Sequence, residues 1–155
     1  MSLVRKFKVP NRLAQQMFGR GGKMVKDAIK ASEASVAELR EQGLAALDEL
    51  LDGMMAAYGP DVPAPDADLE VLYIKSCAII DLAGFTPDSG LAEASVSLCD
   101  LVDGCQEAGV TDWPSVRVHL DALMLLRRQG EKLGPTGREV VLEGLRKVSR
   151  RRTQG

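Results

Sequence analysis

Histidine occurs once in this chain, cysteine three times, and no run of apolar residues is long enough for a membrane span. Each scarcity excludes a class of function. With His119 alone, and with Cys77, Cys99 and Cys105 lacking CxxC spacing, a tetrahedral Cys/His metal site has too few ligands. The odd cysteine count points to reduced thiols. No apolar run reaches the ~18 residues a bilayer requires, so no membrane partner is expected. The opening "MSLVRKFKVPNRL" is basic but lacks the apolar core of a secretory signal, which makes a cytoplasmic location the expectation. Aromatic residues are 4% of the chain, too few to build a stacking platform for single-stranded nucleic acid.

What is present is ordinary globular material with an uneven charge. At 155 residues, 45% hydrophobic and 27% charged, the chain suits one domain. A chain of this size buries roughly 68–70% of its unfolded surface. The net charge of −2 conceals a basic start, with eight Lys/Arg against one Asp in residues 1–30. Residues 138–155 are basic as well, with six against two, whereas residues 31–137 hold six bases against nineteen acids. Basic ends on an acidic body fit nucleic-acid contact, an acidic protein partner, or docking of the ends onto the body itself.

Residues 1–22 read as a flexible basic arm, broken by Pro10, Asn11, Gly19, Gly21 and Gly22. The "GRGGK" closing it is not a phosphate-binding loop. A Walker loop needs glycine where Met17 stands and Ser/Thr where Met24 stands. From about 23 to 58 runs a proline-free helical pattern, with Val25, Ile29, Val36, Leu39, Leu47, Leu50, Leu51, Met54 and Tyr58 mostly at three- and four-residue steps. "GPDVPAPDAD" is a loop. A second helix is expected over about 67–84 with Asp66 or Asp68 as cap. A third is expected over about 88–108 after Thr86 and Pro87, and a fourth over about 114–129. A fifth, after "LGPTG", should span about 136–150. The expected fold is all-α, an antiparallel bundle of about five helices occupying residues 23–150, with 151–155 a basic tail.

The lone histidine invites a phosphoacceptor or base reading. On a wheel advancing about 100° per residue, Arg117, Asp121 and Arg128 gather near 100–140° from Val116, and His119 falls near 300°, beside Leu123 and Leu126. It should point into the bundle, its N–H held by a carboxylate or carbonyl. Trp113, before Pro114, should cover the bundle end. No nucleophile–base pair, cofactor motif or metal-ligand set appears, so the chain is expected to be neither an enzyme nor a cofactor carrier.

Residues 77–102, "CAIIDLAGFTPDSGLAEASVSLCDLV", carry a resemblance. The stretch is similar to the hairpin of histidine phosphotransfer (Hpt) proteins, with its His-x-x-Lys-Gly-x-x-Gly pattern. With Gly84 on the final glycine, the phosphoacceptor position falls on Cys77, the lysine on Ile80 and the first glycine on Asp81, so the chemistry residues are absent. The chain also resembles the CheE-type proteins of bacterial chemotaxis, through the "NRL" arm, "GGKMVKDAIKASEA", "SLCDLVDG" and "VHLDALMLLRR". Both resemblances imply an accessory of two-component signalling with a four-helix bundle, binding a response regulator or histidine kinase without accepting phosphate. Periodicity gives this a place. Leu69, Leu72, Tyr73, Ser76, Ile79, Ile80 and Ala83 form a core stripe, whereas Glu70, Cys77 and Asp81 face outward with Ile74 beside them. Flanking carboxylates make Cys77 a poor thiolate. Cys99 and Cys105 read as small apolar fillers.

The expected partner face is therefore Glu70, Ile74, Cys77 and Asp81, assisted by Arg5, Lys6, Lys8 and Arg12 of the arm. A rival expectation is a nucleic-acid- or scaffold-binding protein working through its basic ends. The exposed apolar stripe on the first half of the long helix leads to the further expectation of a homodimer or larger assembly.

Overall fold

A computed structural model describes residues 25–62 and 68–152, with side chains to residue 150. The arm residues Arg5, Lys6, Lys8 and Arg12, the "GRGGK" stretch and the last three residues lie outside the described part. Every described element is helical and no strand occurs among the described residues. Helix α1 spans Val25–Tyr58, α2 Leu69–Leu82, α3 Leu91–Ala108 and α4 Trp113–Arg152, with a 3-10 turn at Ala83–Phe85. The residues divide into two compact units between Leu39 and Arg40, within α1.

Among the described residues there are four helices rather than about five, because helical geometry resumes directly after a one-residue break. Gly134 has φ 64° and ψ 177°, a combination essentially confined to glycine. Pro135 follows, and its fixed φ suits the first position of a new helical arm. The break thus stands where "LGPTG" placed it, dividing α4 into residues 113–133 and an arm at 135–152.

In the first unit, residues 25–39 of α1 expose every side chain. In the second, the stripe turns inward. Gly43, Leu47, Leu51, Met54 and Tyr58 are buried at three- and four-residue steps. Tyr58 stacks on Trp113 with ring centroids 6.0 Å apart and planes 11° apart, so Trp113 covers an apolar end as its position before Pro114 suggested.

Helix α2 starts at Asp68, whose Oδ1 accepts the Val71 N–H at 3.1 Å. Its buried residues are Leu72, Ser76 and Ile79, and the Ser76 hydroxyl donates to the Leu72 carbonyl at 2.8 Å. The third helix begins at Leu91, later than the expected 88. A turn intervenes, closed by the Ser89 N–H on the Thr86 carbonyl at 3.0 Å and by the Ser89 hydroxyl on the same carbonyl at 2.7 Å. The Ser89 oxygen also accepts the Leu91 N–H at 3.3 Å, so the local hydroxyl outcompetes helical continuation.

Helix α3 packs against both α2 and α4 and is correspondingly buried, with Leu91, Ala94, Leu98, Leu101, Val102 and Cys105 all in the core. Asp112 starts α4, accepting the Ser115 N–H at 3.1 Å and the Ser115 hydroxyl at 2.7 Å. Val116, Leu120, Leu123 and Leu126 complete the core, together with Leu142 and Leu145 from the arm. Each such side chain stabilises the fold by about 1.5–3 kcal/mol on burial.

Candidate functional site

The outward face of α2 comes first, because a capped, one-sided helix dictates what it offers. Leu72, Ser76 and Ile79 take the inner side, which leaves Glu70 and Asp81 exposed and Ile74 59% exposed between them. Cys77 departs from the outward expectation. It is half-buried, leaning toward α3, where its thiol neighbours Cys99 and the Tyr73 phenol. Ser76 beside it is small and buried, which favours close packing of α2 on α3. The face therefore consists of an exposed isoleucine, two exposed carboxylates and a partly accessible thiol. Lys75, half-buried, turns the other way and lies over the Tyr58 ring, 5.9 Å from its centroid.

The Cys99 thiol is not tuned for nucleophilic chemistry. Burial, followed by the neighbouring Cys77, pushes the Cys99 thiol up to about 12. The Tyr73 phenol is raised too, chiefly by Asp103 on α3 and then by Cys77 and Cys99. Cys105 is fully buried in the core. None of the three cysteines is in a disulfide.

His119 is the second group of interest, and it is fully buried. Its Nδ1–H donates to the Ser115 carbonyl at 2.8 Å, which fixes the tautomer and leaves Nε2 as an acceptor. Two hydroxyls converge on that nitrogen: Ser97 from α3 at 3.0 Å and Ser149 from the arm at 3.3 Å. They lie 3.2 Å from each other. Burial lowers the imidazole's pKa from its usual value, against smaller opposing effects of the Ser115 carbonyl and Asp112. The ring is thus neutral, satisfied at both nitrogens and shut off from a partner's active site.

Sequence reasoning placed His119 inside with a carboxylate or a carbonyl for its N–H, and the carbonyl of Ser115 is the one found. That reasoning missed Ser97 and Ser149. They lie 22 and 30 residues from the histidine, and no local pattern connects them.

Above this cluster a groove of about 590 Å³ runs between α3 and the arm. Its floor is Ala92, Val96, Ser97 and Ser149, with Glu93 and Asp100 on one side and Arg146 and Arg150 on the other. Arg146 is already engaged by Glu139 at 2.7 Å. A serine bonded to a neutral histidine has the outline of an activated nucleophile, yet Ser97 sits mid-helix, where backbone N–H groups are spent on the helix and supply no oxyanion hole. Among the described residues no group of His, Cys, Asp and Glu side chains is arranged to hold a metal ion. No described helix is long and apolar enough to cross a membrane. The chain matches no family model, no curated protein and no solved structure.

Proposed function

We propose that the protein is a non-enzymatic accessory of two-component or chemotaxis signalling, which binds a response regulator or a histidine kinase through the outward face of α2. The observation that carries the reading is Ile74. It is a large apolar side chain left 59% exposed on a helix whose Leu72 and Ile79 turn inward, and it is flanked by Glu70 and Asp81. A small apolar centre with a charged rim is the usual anatomy of a protein-binding patch. In this reading α2, α3, the two parts of α4 and the C-terminal half of α1 supply an antiparallel, Hpt-like bundle. Cys77 occupies the place of the phosphoacceptor, so the surface docks without phosphate transfer. The burial of His119 supports the same view, since the one imidazole of the chain is closed to a donor.

The test is to mix the full chain with phosphorylated receiver domains and with histidine kinases, following both complex formation and transfer of label. The proposal expects a complex with no label on this chain. Ile74→Asp should weaken that complex at least ~30-fold, corresponding to a hot spot of about 2 kcal/mol, with the thermal midpoint held. Label on His119 would replace the proposal with a phosphotransfer function. Salt-steep nucleic-acid binding that vanishes when both basic ends are removed would replace it with the nucleic-acid reading.

A further inference from the structure

We propose that residues 25–39 of α1 pair with the same segment of a second copy as a short, parallel, in-register two-stranded coiled coil. The inference does not depend on the α2 docking face.

Four apolar side chains on this segment, Val25, Ile29, Val36 and Leu39, are 53–62% exposed. They are spaced 25, 29, 36 and 39, and with Ser32 between them they alternate steps of four and three residues without a fault. This is the heptad spacing of a two-helix seam, with Ile29 and Val36 at the a positions and Val25, Ser32 and Leu39 at d. The register continues to Gly43, where the stripe becomes buried. Below Gly43 the stripe is filled by the protein's own core; above it no described residue covers it. A helical segment of this length is marginal in water unless its apolar face is packed, so the seam calls for a partner helix.

The seam specifies its partner in three ways. β-Branched residues at both a positions, Ile29 and Val36, with Leu39 at one of the three d positions, favour two parallel strands. The flanking charges agree. Lys26, Glu33 and Arg40 occupy e, and Ala28, Ser35 and Gln42 occupy g. In a parallel pair, each g residue meets the second copy's e residue five positions on, so Ala28 faces Glu33 and Ser35 faces Arg40, with no like-charge contact. In an antiparallel pair that sets Ile29 against Leu39, e faces e. Glu33 then lies against the second copy's Glu33, and Lys26 lies near its Arg40, both repulsive. Ser32 adds a polar layer at one height, and only the in-register parallel arrangement lets its two hydroxyls satisfy each other. Apolar fit, charge and the polar layer all point to a second copy of this chain.

Sedimentation equilibrium of the full chain should give twice 16.7 kDa. Leu39→Glu should raise the dimer dissociation constant at least ~100-fold, about 2.8 kcal/mol by the affinity relation, while the melting of the rest of the protein is retained. Ala34→Glu, on the side away from the seam, should leave the dimer intact. Val36→Cys should form an intermolecular disulfide through position 36, located by peptide mapping, because parallel registration places the two copies of that position opposite each other. A monomer at micromolar concentration would overturn the proposal, as would equal sensitivity to Leu39→Glu and Ala34→Glu. A dimer in which Val36→Cys fails to cross-link would overturn the parallel register.

Discussion

Replacing Gly43 with alanine sets two effects of known size against each other. Inside an exposed helix the change stabilises by about 1 kcal/mol, because glycine gives up more backbone freedom on folding. Gly43 is buried, however, and a methyl group there would meet the Phe85 ring, with Cζ at 2.7 Å and Cε2 and Cδ2 closer still. An aromatic ring moves as a plate, and Leu47, one turn further on, is fully buried and leaves no slack on the helix side. Such overpacking costs about 1–3 kcal/mol, so the clash exceeds the propensity gain and Gly43→Ala should destabilise by about 1 kcal/mol. Gly53 and Gly104 are also in helices, but a Cβ at either meets nothing within 4 Å. There the same substitution should stabilise by about 0.5–1 kcal/mol. Urea denaturation of the three variants reads the signs directly. Placing Gly43→Ala in a Phe85→Ala background should turn its effect stabilising, since the obstacle is gone. If Gly43→Ala stabilises the otherwise unaltered protein as Gly53→Ala does, the close approach of α1 to Phe85 is wrong.

Two further outcomes follow from the charges. Burial lowers the folded-state pKa of His119 below the ordinary value of 6.5, so folding favours the neutral ring. Below pH 6.5 the unfolded chain takes up a proton that the native state declines. Stability should fall with pH through that point by at most about 1.4 kcal/mol per unit, and the slope should disappear in His119→Gln. An unchanged slope in that variant, measured between pH 7 and 5.5, would contradict the burial. For the arm, reversing the charges of Arg5, Lys6, Lys8 and Arg12 should slow association with the signalling partner and flatten its salt dependence while leaving the dissociation rate nearly unchanged; stopped-flow mixing at two ionic strengths decides this.

The helices were legible because their signals are local. Asp68 before an apolar run announces a cap, and Gly134–Pro135 announces a break, since both depend on neighbours in sequence. The inward side of α2 followed from a repeat of 3.6 residues, which also placed Ile74 outside. The start of α3 was less legible. Thr86, Pro87 and Ser89 suit a helix start and a turn equally, and the Ser89 hydroxyl settles the choice through bonds of 2.7 and 3.3 Å. Contacts between distant segments were not legible at all. The glycine that admits Phe85, the meeting of Cys77 with Cys99, and the two serines on His119 depend on how helices approach in space, which no periodicity encodes. Cys77 shows the gap most clearly. Its wheel position is outward, yet close packing of α2 on α3 half-covers it.

The break at Gly134 also bears on timing. Among the described residues the arm beyond it contributes two side chains to the core, Leu142 and Leu145, whereas α3 contributes six, so the arm is the cheaper part to open. Its Ser149 shares with Ser97 the Nε2 lone pair of His119, whose Nδ1–H is already bonded to the Ser115 carbonyl. Lifting the arm would withdraw Ser149 and leave Nε2 to Ser97 alone, so the surroundings of the imidazole would report the lifting. The rate at which those surroundings change would be the rate at which residues 135–152 leave and return.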